Sequence, residues 1–239
     1  MKKILLSFCL LPLLILSLRA ASLQEAEQFY REGKYAASLG AYEELLHTYP
    51  KDPFLYYNIG NCYFKMGSRG LAVANYYRAF RLAPRDKDIR PNLSLALGEA
   101  GEKFVPVGMP AVLHQVFFSL TTEELKGLFY LSLWLFCLST MLWFFKRKFS
   151  HMALTFLLST LLLGSWYLWR LQIRQEPLAV VAAPMAELRS GPGENFPASA
   201  SVSQGHLLIL QDSKDHWYEV IVKSQGLKGW IEKDTLEKI

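Results

Sequence analysis

The chain is poor in the residue groupings that most enzyme chemistry needs. Its three cysteines, Cys9, Cys62 and Cys137, form no CxxC pair and no disulfide framework. Five histidines, His47, His114, His151, His206 and His216, are scattered over different segments, and none is spaced for a metal site. There is no Walker loop and no GxGxxG, HExxH or GxSxG motif, and Gly191-Pro192-Gly193 reads as a turn with nothing around it to cradle a phosphate. These absences lead to the expectation of a non-enzymatic chain with no cofactor and no metal. Charge is also scarce where it would matter: charged residues make up 20% of the chain, and two long stretches hold none. The formal net charge of +5 does not point to nucleic acid. Much of the excess sits in Lys2, Lys3, the cluster Lys146, Arg147 and Lys148, and the flanks Arg170 and Arg174, where it reads as membrane topology.

The two charge-free stretches organise the rest. Leu128–Phe145 and Met152–Trp169 are apolar runs of about eighteen residues, long enough to cross a hydrocarbon core as helices. Transmembrane helices are expected at 127–145 and 152–169, with the basic loop 146–151 on the cytoplasmic side. Trp134, Trp143, Trp166, Tyr167 and Trp169 suit the membrane interface. A loop so short makes the helices antiparallel neighbours, so the flanking segments share the opposite compartment. Residues 1–22 open with Met1-Lys2-Lys3, continue through an apolar run and reach Ala20 to Ser22. They read as a signal peptide or an N-terminal anchor. Both signals place the N- and C-terminal domains in the periplasm, on an inner (cytoplasmic) membrane.

Residues 23–103 repeat with a period of 34. Phe29 aligns with Tyr63, Gly33 with Gly67, Tyr42 with Tyr76, Pro50 with Pro84 and Asp52 with Asp86. Each unit reads as a helical pair. Gly60 and Ala72 are small where two helices touch, Tyr63, Tyr76 and Ala79 fill the seam, Gly67 makes the turn and Pro84 ends the second helix. A further helix near Lys87 to Ala100 is expected to cap the array. This stretch resembles the tetratricopeptide repeat, most closely through Gly60, Tyr63, Ala72, Tyr76, Ala79 and Pro84; Ser38 and Leu45 depart from the pattern in the first unit. The resemblance implies a short superhelix that binds protein partners on its concave face. Mapped here, that face holds Phe54, Tyr57, Asn61, Phe64 and Lys65, with Tyr30 and Arg31 from the first unit. The same aromatics would equally serve to pack neighbouring helices. The places of a carboxylate clamp hold Leu23, Glu27, Asn58, Asp88 and Asn92; only Asn58 fits, so no clamp is expected.

Residues 104–126 begin as a loop around Pro106, Gly108 and Pro110. A short apolar helix over Ala111 to Leu120 is then expected along the membrane surface, with Thr122 as the cap of the next helix. His114 is expected to pack rather than to ligate. After the linker 170–177 the pattern changes to short β-branched and aromatic runs between Gly, Asp and Ser clusters. Residues 178–239 thus read as a small all-β barrel. Leu188-Arg189-Ser190-Gly191-Pro192, Gly205 before Leu207 to Leu210, Trp217 with Val220, and Gly229-Trp230-Ile231 resemble the bacterial SH3 domain, which implies peptide or cell-wall recognition. Trp217 and Trp230 are expected in the core, since so small a domain needs its large apolar residues. Trp217 and Tyr218 alternate along a strand, so one of them points outward, and both are candidates for the SH3 surface. Some wall hydrolases with SH3 modules use Cys and His, but Cys62 falls at a packed helical position with no base beside it.

The fold class is therefore a multi-domain membrane protein: an all-α tetratricopeptide-repeat domain, two transmembrane helices and a small all-β SH3-like barrel. That order of parts resembles the BatE-type family of the Bacteroides aerotolerance (Bat) operon. The resemblance implies a membrane scaffold for von Willebrand factor A-type Bat membrane proteins, linked to aerotolerance and stress. The other reading is a cell-wall-associated protein whose SH3 module binds peptidoglycan and regulates a hydrolase.

Overall fold

The computed structural model describes residues 22–104, 110–175 and 177–239; the expected signal or anchor before Ser22 lies outside them. The chain forms two compact units: the repeat helices together with the C-terminal strands, and residues 108–177.

In the first unit, α1 (22–31) and α2 (Tyr35–Thr48) make one helical pair, and α3 (Pro53–Lys65) and α4 (Arg69–Leu82) make the next. α5 (Ile89–Glu99) covers the second pair with Ile89, Leu93, Ala96 and Leu97. The corresponding turns pass through Gly33 at φ 75° and Gly67 at φ 83°, the left-handed region where a Cβ is penalised. Asp52 starts α3 by accepting from the Phe54 amide at 2.9 Å, with Pro53 behind it in the first turn. α4 stops two residues before Pro84. Within the second pair the contact is closest at Gly60, where a Cβ would lie 2.7 Å from the Tyr76 ring. Ser38, which stands where the repeat pattern has alanine, is fully buried. Its hydroxyl donates to the Ala26 carbonyl at 2.8 Å, and the Cys62 thiol reaches it at 3.5 Å. The departure is thus hydrogen-bonded rather than left unsatisfied.

Seven antiparallel strands follow: β1 (Leu178–Val181), β2 (Met185–Arg189), β3 (Ala198–Ser203), β4 (Leu207–Lys214), β5 (Trp217–Val222), β6 (Lys228–Glu232) and β7 (Leu236–Lys238). Their order is β3-β2-β6-β5-β4-β1-β7. The core is aliphatic: Ala179, Val181, Leu188, Leu208, Val220, Val222 and Ile231 gather on one face. Trp217 and Trp230 are not in it, contrary to expectation. Strand alternation decides this: with Val220 and Ile231 turned inward, Trp217 and Trp230 fall on the other face. Tyr218 is the member of its pair that packs against the core. β3, with sequence ASASVS, has almost no strand signal and forms one edge.

The β module is docked on the repeats. β1 and β7 run against α4, and a Cβ at Gly70 would sit on the Val181 carbonyl oxygen. The Arg69 amide donates to Gln204 Oε1 at 3.2 Å, Arg78 pairs with Glu237 at 2.5 Å and also reaches the Lys238 carbonyl, and Arg81 donates to the Ile239 carbonyl at 3.4 Å. With both faces covered, β1 is buried at Ala179, Val180 and Val181.

The second unit is a helical hairpin. α7 (Thr122–Phe145) and α8 (Ser150–Gln175) are joined through Lys146 and a 3-10 turn, Arg147–Phe149. Thr121, rather than Thr122, caps α7, and with Glu124 it forms a capping box. Both helices are long and apolar enough to cross a membrane. Leu125, Ser132 and Ser139 recur every seven residues as the buried seam of α7, and the Ser132 and Thr160 hydroxyls meet at 3.1 Å across it. The outer faces are apolar and exposed, with Trp134 62% and Phe144 88% accessible. α6 (Ala111–Phe117) precedes the hairpin. His114 is buried against Phe118, ring centroids 4.7 Å apart. Arg170, read from the sequence as a membrane flank, is buried: it donates to the Phe117 carbonyl at 3.0 Å and lies over the Phe118 ring.

Candidate protein-binding surfaces

Two surfaces in the first unit gather the residues singled out in the sequence. The first lies along α3. Tyr57 and Asn61 share its face, as helical spacing requires, but both are engaged with neighbouring helices. Asn92 on α5 donates to the Tyr57 hydroxyl at 2.9 Å and to Asn61 Oδ1 at 3.3 Å; Tyr76 on α4 donates to the same Asn61 oxygen at 2.8 Å. Asn61 in turn donates to Asn58 Oδ1 at 3.3 Å, and Asn58 to the Phe54 carbonyl at 2.9 Å. This amide and phenol network ties three helices together. Burial pushes the Tyr57 and Tyr76 phenols up from their ordinary values. Of the α3 residues, Phe54 at 43% exposure and Lys65 are therefore the accessible ones. Phe64 is half-buried beneath the Arg69 guanidinium, 4.2 Å from the ring centroid, and Arg69 also donates to the Phe64 carbonyl and pairs with Glu99. In the first unit Tyr30 meets Tyr35 edge-on at 5.3 Å, and Arg31 is exposed.

Cys62 is fully buried, and burial raises its thiol above the usual range, the opposite of what a nucleophile needs. Among the described residues no three of His, Cys, Asp and Glu gather as a metal site.

The second surface is the outer face of the β module. Trp217 on β5 and Trp230 on β6 share it with Arg189 on β2, which pairs across strands with Trp230. The Arg189 guanidinium stands 5.9 Å from the Trp217 ring centroid. It is fixed by donation to the carbonyls of Glu194 at 2.9 Å and Phe196 at 2.8 Å and by pairing with Glu187. These bonds also hold the loop that carries Phe196, 43% exposed, over Gly191. The result is a pinned cation on a face shared with two partly exposed indoles, suited to stacking and hydrogen bonding with a flat or extended ligand. Tyr218, by contrast, faces inward with Lys233 and Lys238 over its ring, each 4.8 Å from the centroid. Arg189 and Trp230 belong to this surface although neither is among the residues expected there from the sequence. Arg189 was visible only as part of a motif, and the alternation from Ile231 would have turned Trp230 outward.

Residues 182–238 match the family described as Bacterial SH3 domain. The match takes in β2 to β7, including the whole Trp217–Arg189–Trp230 surface, and leaves out β1. Tetratricopeptide repeat protein 16 of Macaca fascicularis and that of Homo sapiens are each 29% identical to this chain over 72 residues, 30% of this chain. The chain spans 8% of the length of these relatives.

Proposed function

We propose that this chain is a non-enzymatic inner-membrane scaffold. It binds protein partners through its repeats and its SH3 module, with both held in the periplasm by the apolar hairpin. The observation that carries this reading is the fusion of the two modules. α4 and the strands β1 and β7 share one interface, so the α3 surface and the indole surface are presented from a single body. A scaffold gains from such rigidity because partners meet a preorganised pair of surfaces. The bacterial SH3 match supports an extracytoplasmic place, and the basic turn Lys146 to Lys148 supports cytoplasmic retention of the hairpin's tip. The order of modules supports a BatE-type role, with von Willebrand factor A-type membrane proteins of a Bat aerotolerance complex as partners.

The test is co-purification of the full chain from membranes with its partners. Phe54→Ala with Phe64→Ala, or Trp217→Ala with Trp230→Ala, is expected to cut recovery of a membrane partner, since truncating a central aromatic anchor costs about 2 kcal/mol or more. Undiminished recovery with both pairs changed would refute the scaffold reading. The exposed indole surface favours one second reading, peptidoglycan recognition with control of a wall hydrolase. That reading expects the full chain to sediment with purified wall in a Trp217-dependent way. A reporter enzyme active only after export, fused behind Ile239, should be active in either case; a stable but inactive fusion would overturn the orientation.

A further inference from the structure

A cleft of about 340 Å³ opens between α2 and α4, floored by α3 and closed at one end by β7. Its volume is at the small end of ligand pockets, which run from about 300 to 1,000 Å³. Leu46, Ile59 and Leu71 supply apolar walls. Tyr56 and Tyr63 supply two aromatic rings whose hydroxyls are already committed, Tyr56 to the Pro50 carbonyl at 3.2 Å and Tyr63 to Glu43 Oε1 at 3.2 Å. What those side chains offer a ligand is therefore ring surface. The remaining polar groups are mostly acceptors. Asn75 is only 5% exposed and spends its amide nitrogen on the Leu71 carbonyl at 2.9 Å within its own helix, which leaves its Oδ1 for the cleft. Glu237 is paired with Arg78, whose Nη2 donates to that carboxylate and to the Lys238 carbonyl. Glu43, exposed at the mouth, takes part in no ion pair among the described residues. Two carboxylates against one guanidinium leave the cleft with one uncompensated negative charge.

We propose that this cleft binds an ammonium group on an apolar stem: the end of a lysine side chain offered by a partner protein, or a free alkylamine of the same shape. The stem lies on Leu46, Ile59 and Leu71, and the ammonium sits between the Tyr56 and Tyr63 rings, donating to Glu43 and Asn75. An anion is disfavoured because the two carboxylates Glu43 and Glu237 outnumber the one guanidinium of Arg78, and a hard divalent cation because three walls are hydrocarbon where it needs oxygen. The site exists only with the β module docked, since Glu237 and the hold on Arg78 come from β7.

The experiment is saturation-transfer NMR on the full chain in detergent, with two probes: the peptide Gly-Gly-Lys-Gly-Gly and n-pentylamine at neutral pH. Their uncharged counterparts, the ε-acetylated peptide and n-pentanol, are run beside them. The expected result is transfer to the stem methylenes of the charged form of at least one probe, lost in its uncharged counterpart. Transfer to the peptide alone assigns the site to a lysine side chain, and transfer to the amine alone to a free alkylamine. Glu43→Gln should weaken binding about three- to fivefold, the scale of one partly exposed ion pair. Asn75→Leu should weaken it as well. Glu25→Gln, an exposed carboxylate on α1, should leave it unchanged. No transfer from either probe, equal transfer to charged and uncharged forms, or equal weakening by Glu25→Gln and Glu43→Gln would each overturn the proposal. Circular dichroism of each variant verifies that the helices persist.

Discussion

Arg78 on α4 and Glu237 on β7, 159 positions apart in the chain, meet at 2.5 Å. Both are partly exposed, at 27% and 36%, so the pair itself is worth no more than about 1 kcal/mol. Its meaning is geometric, because it marks where the β module closes on the repeats. The tighter constraint lies two turns earlier, where Gly70 admits the Val181 carbonyl.

Replacing Gly70 should therefore damage docking more than removing the ion pair. Gly70→Leu forces side-chain atoms into the β1 backbone, and overpacking typically costs about 1–3 kcal/mol. Hydrogen exchange at Ala179 to Val181 should accelerate in Gly70→Leu and change little in Arg78→Ala. Equal protection of β1 in Gly70→Leu and the wild type would mean that α4 and β1 are not in contact.

The seam inside the second repeat makes a separate prediction. Gly60 faces the Tyr76 ring with no room for a Cβ, so Gly60→Leu should cost about 1–3 kcal/mol. The readout is a lower melting temperature of the helical signal in the full chain. An unchanged melting temperature would mean that the ring has space to move aside.

Tyr63 offers a prediction in pH. Burial, with Glu43 and Glu237 nearby, pushes its phenol from 10.0 up to about 12. In the unfolded chain the same phenol ionises near its ordinary value. From pH 10 upward the unfolded state thus binds fewer protons than the folded one, and stability falls as pH rises. Tyr63 contributes fully below pH 10, and its contribution is lost as pH rises toward about 12. A difference titration of tyrosinate absorbance, wild type minus Tyr63→Phe, should show its step near pH 12. A step near pH 10 would contradict the burial of this side chain.

How much of this was legible in the sequence varies with the range of the contacts. The repeat was readable because Gly33, Tyr42, Pro50 and Asp52 recur after 34 residues as Gly67, Tyr76, Pro84 and Asp86, so the signal is local. The hairpin was readable because two uncharged runs flank a basic turn. The docking of the β module was not. Its contacts pair α4 with residues more than a hundred positions away, and Gly70 looks no different from a small residue needed between paired helices. β3 is hard to read from the sequence because serine and alanine carry little strand preference. Tyr57 and Asn61 share a face of α3, as their spacing requires, but nothing local reveals that Asn92 reaches across to both. Trp230 lies outside the core because strand alternation, not size, decides its face, and the same alternation makes Trp217 the outward member of its pair with Tyr218.

That last point gives the sharpest test, since Trp230 and Ile231 are adjacent and face opposite ways. Ile231 is fully buried among Leu188, Val220 and Val222, whereas Trp230 is partly exposed beside Arg189. If bulk decided placement, truncating the indole would be the costlier change. With alternation in control, Ile231→Ala leaves a cavity in a small aliphatic core and should cost about 2–5 kcal/mol. Trp230→Ala removes surface packing and should cost less than about 1 kcal/mol, near the range of ordinary surface changes. Thermal or urea unfolding of the two full-length variants compares them directly. A Trp230→Ala loss equal to or larger than that of Ile231→Ala would place the indole in the core and remove the proposed binding surface. If Trp230→Ala instead keeps its stability but loses its partner or its wall binding, the outward indole is there for recognition.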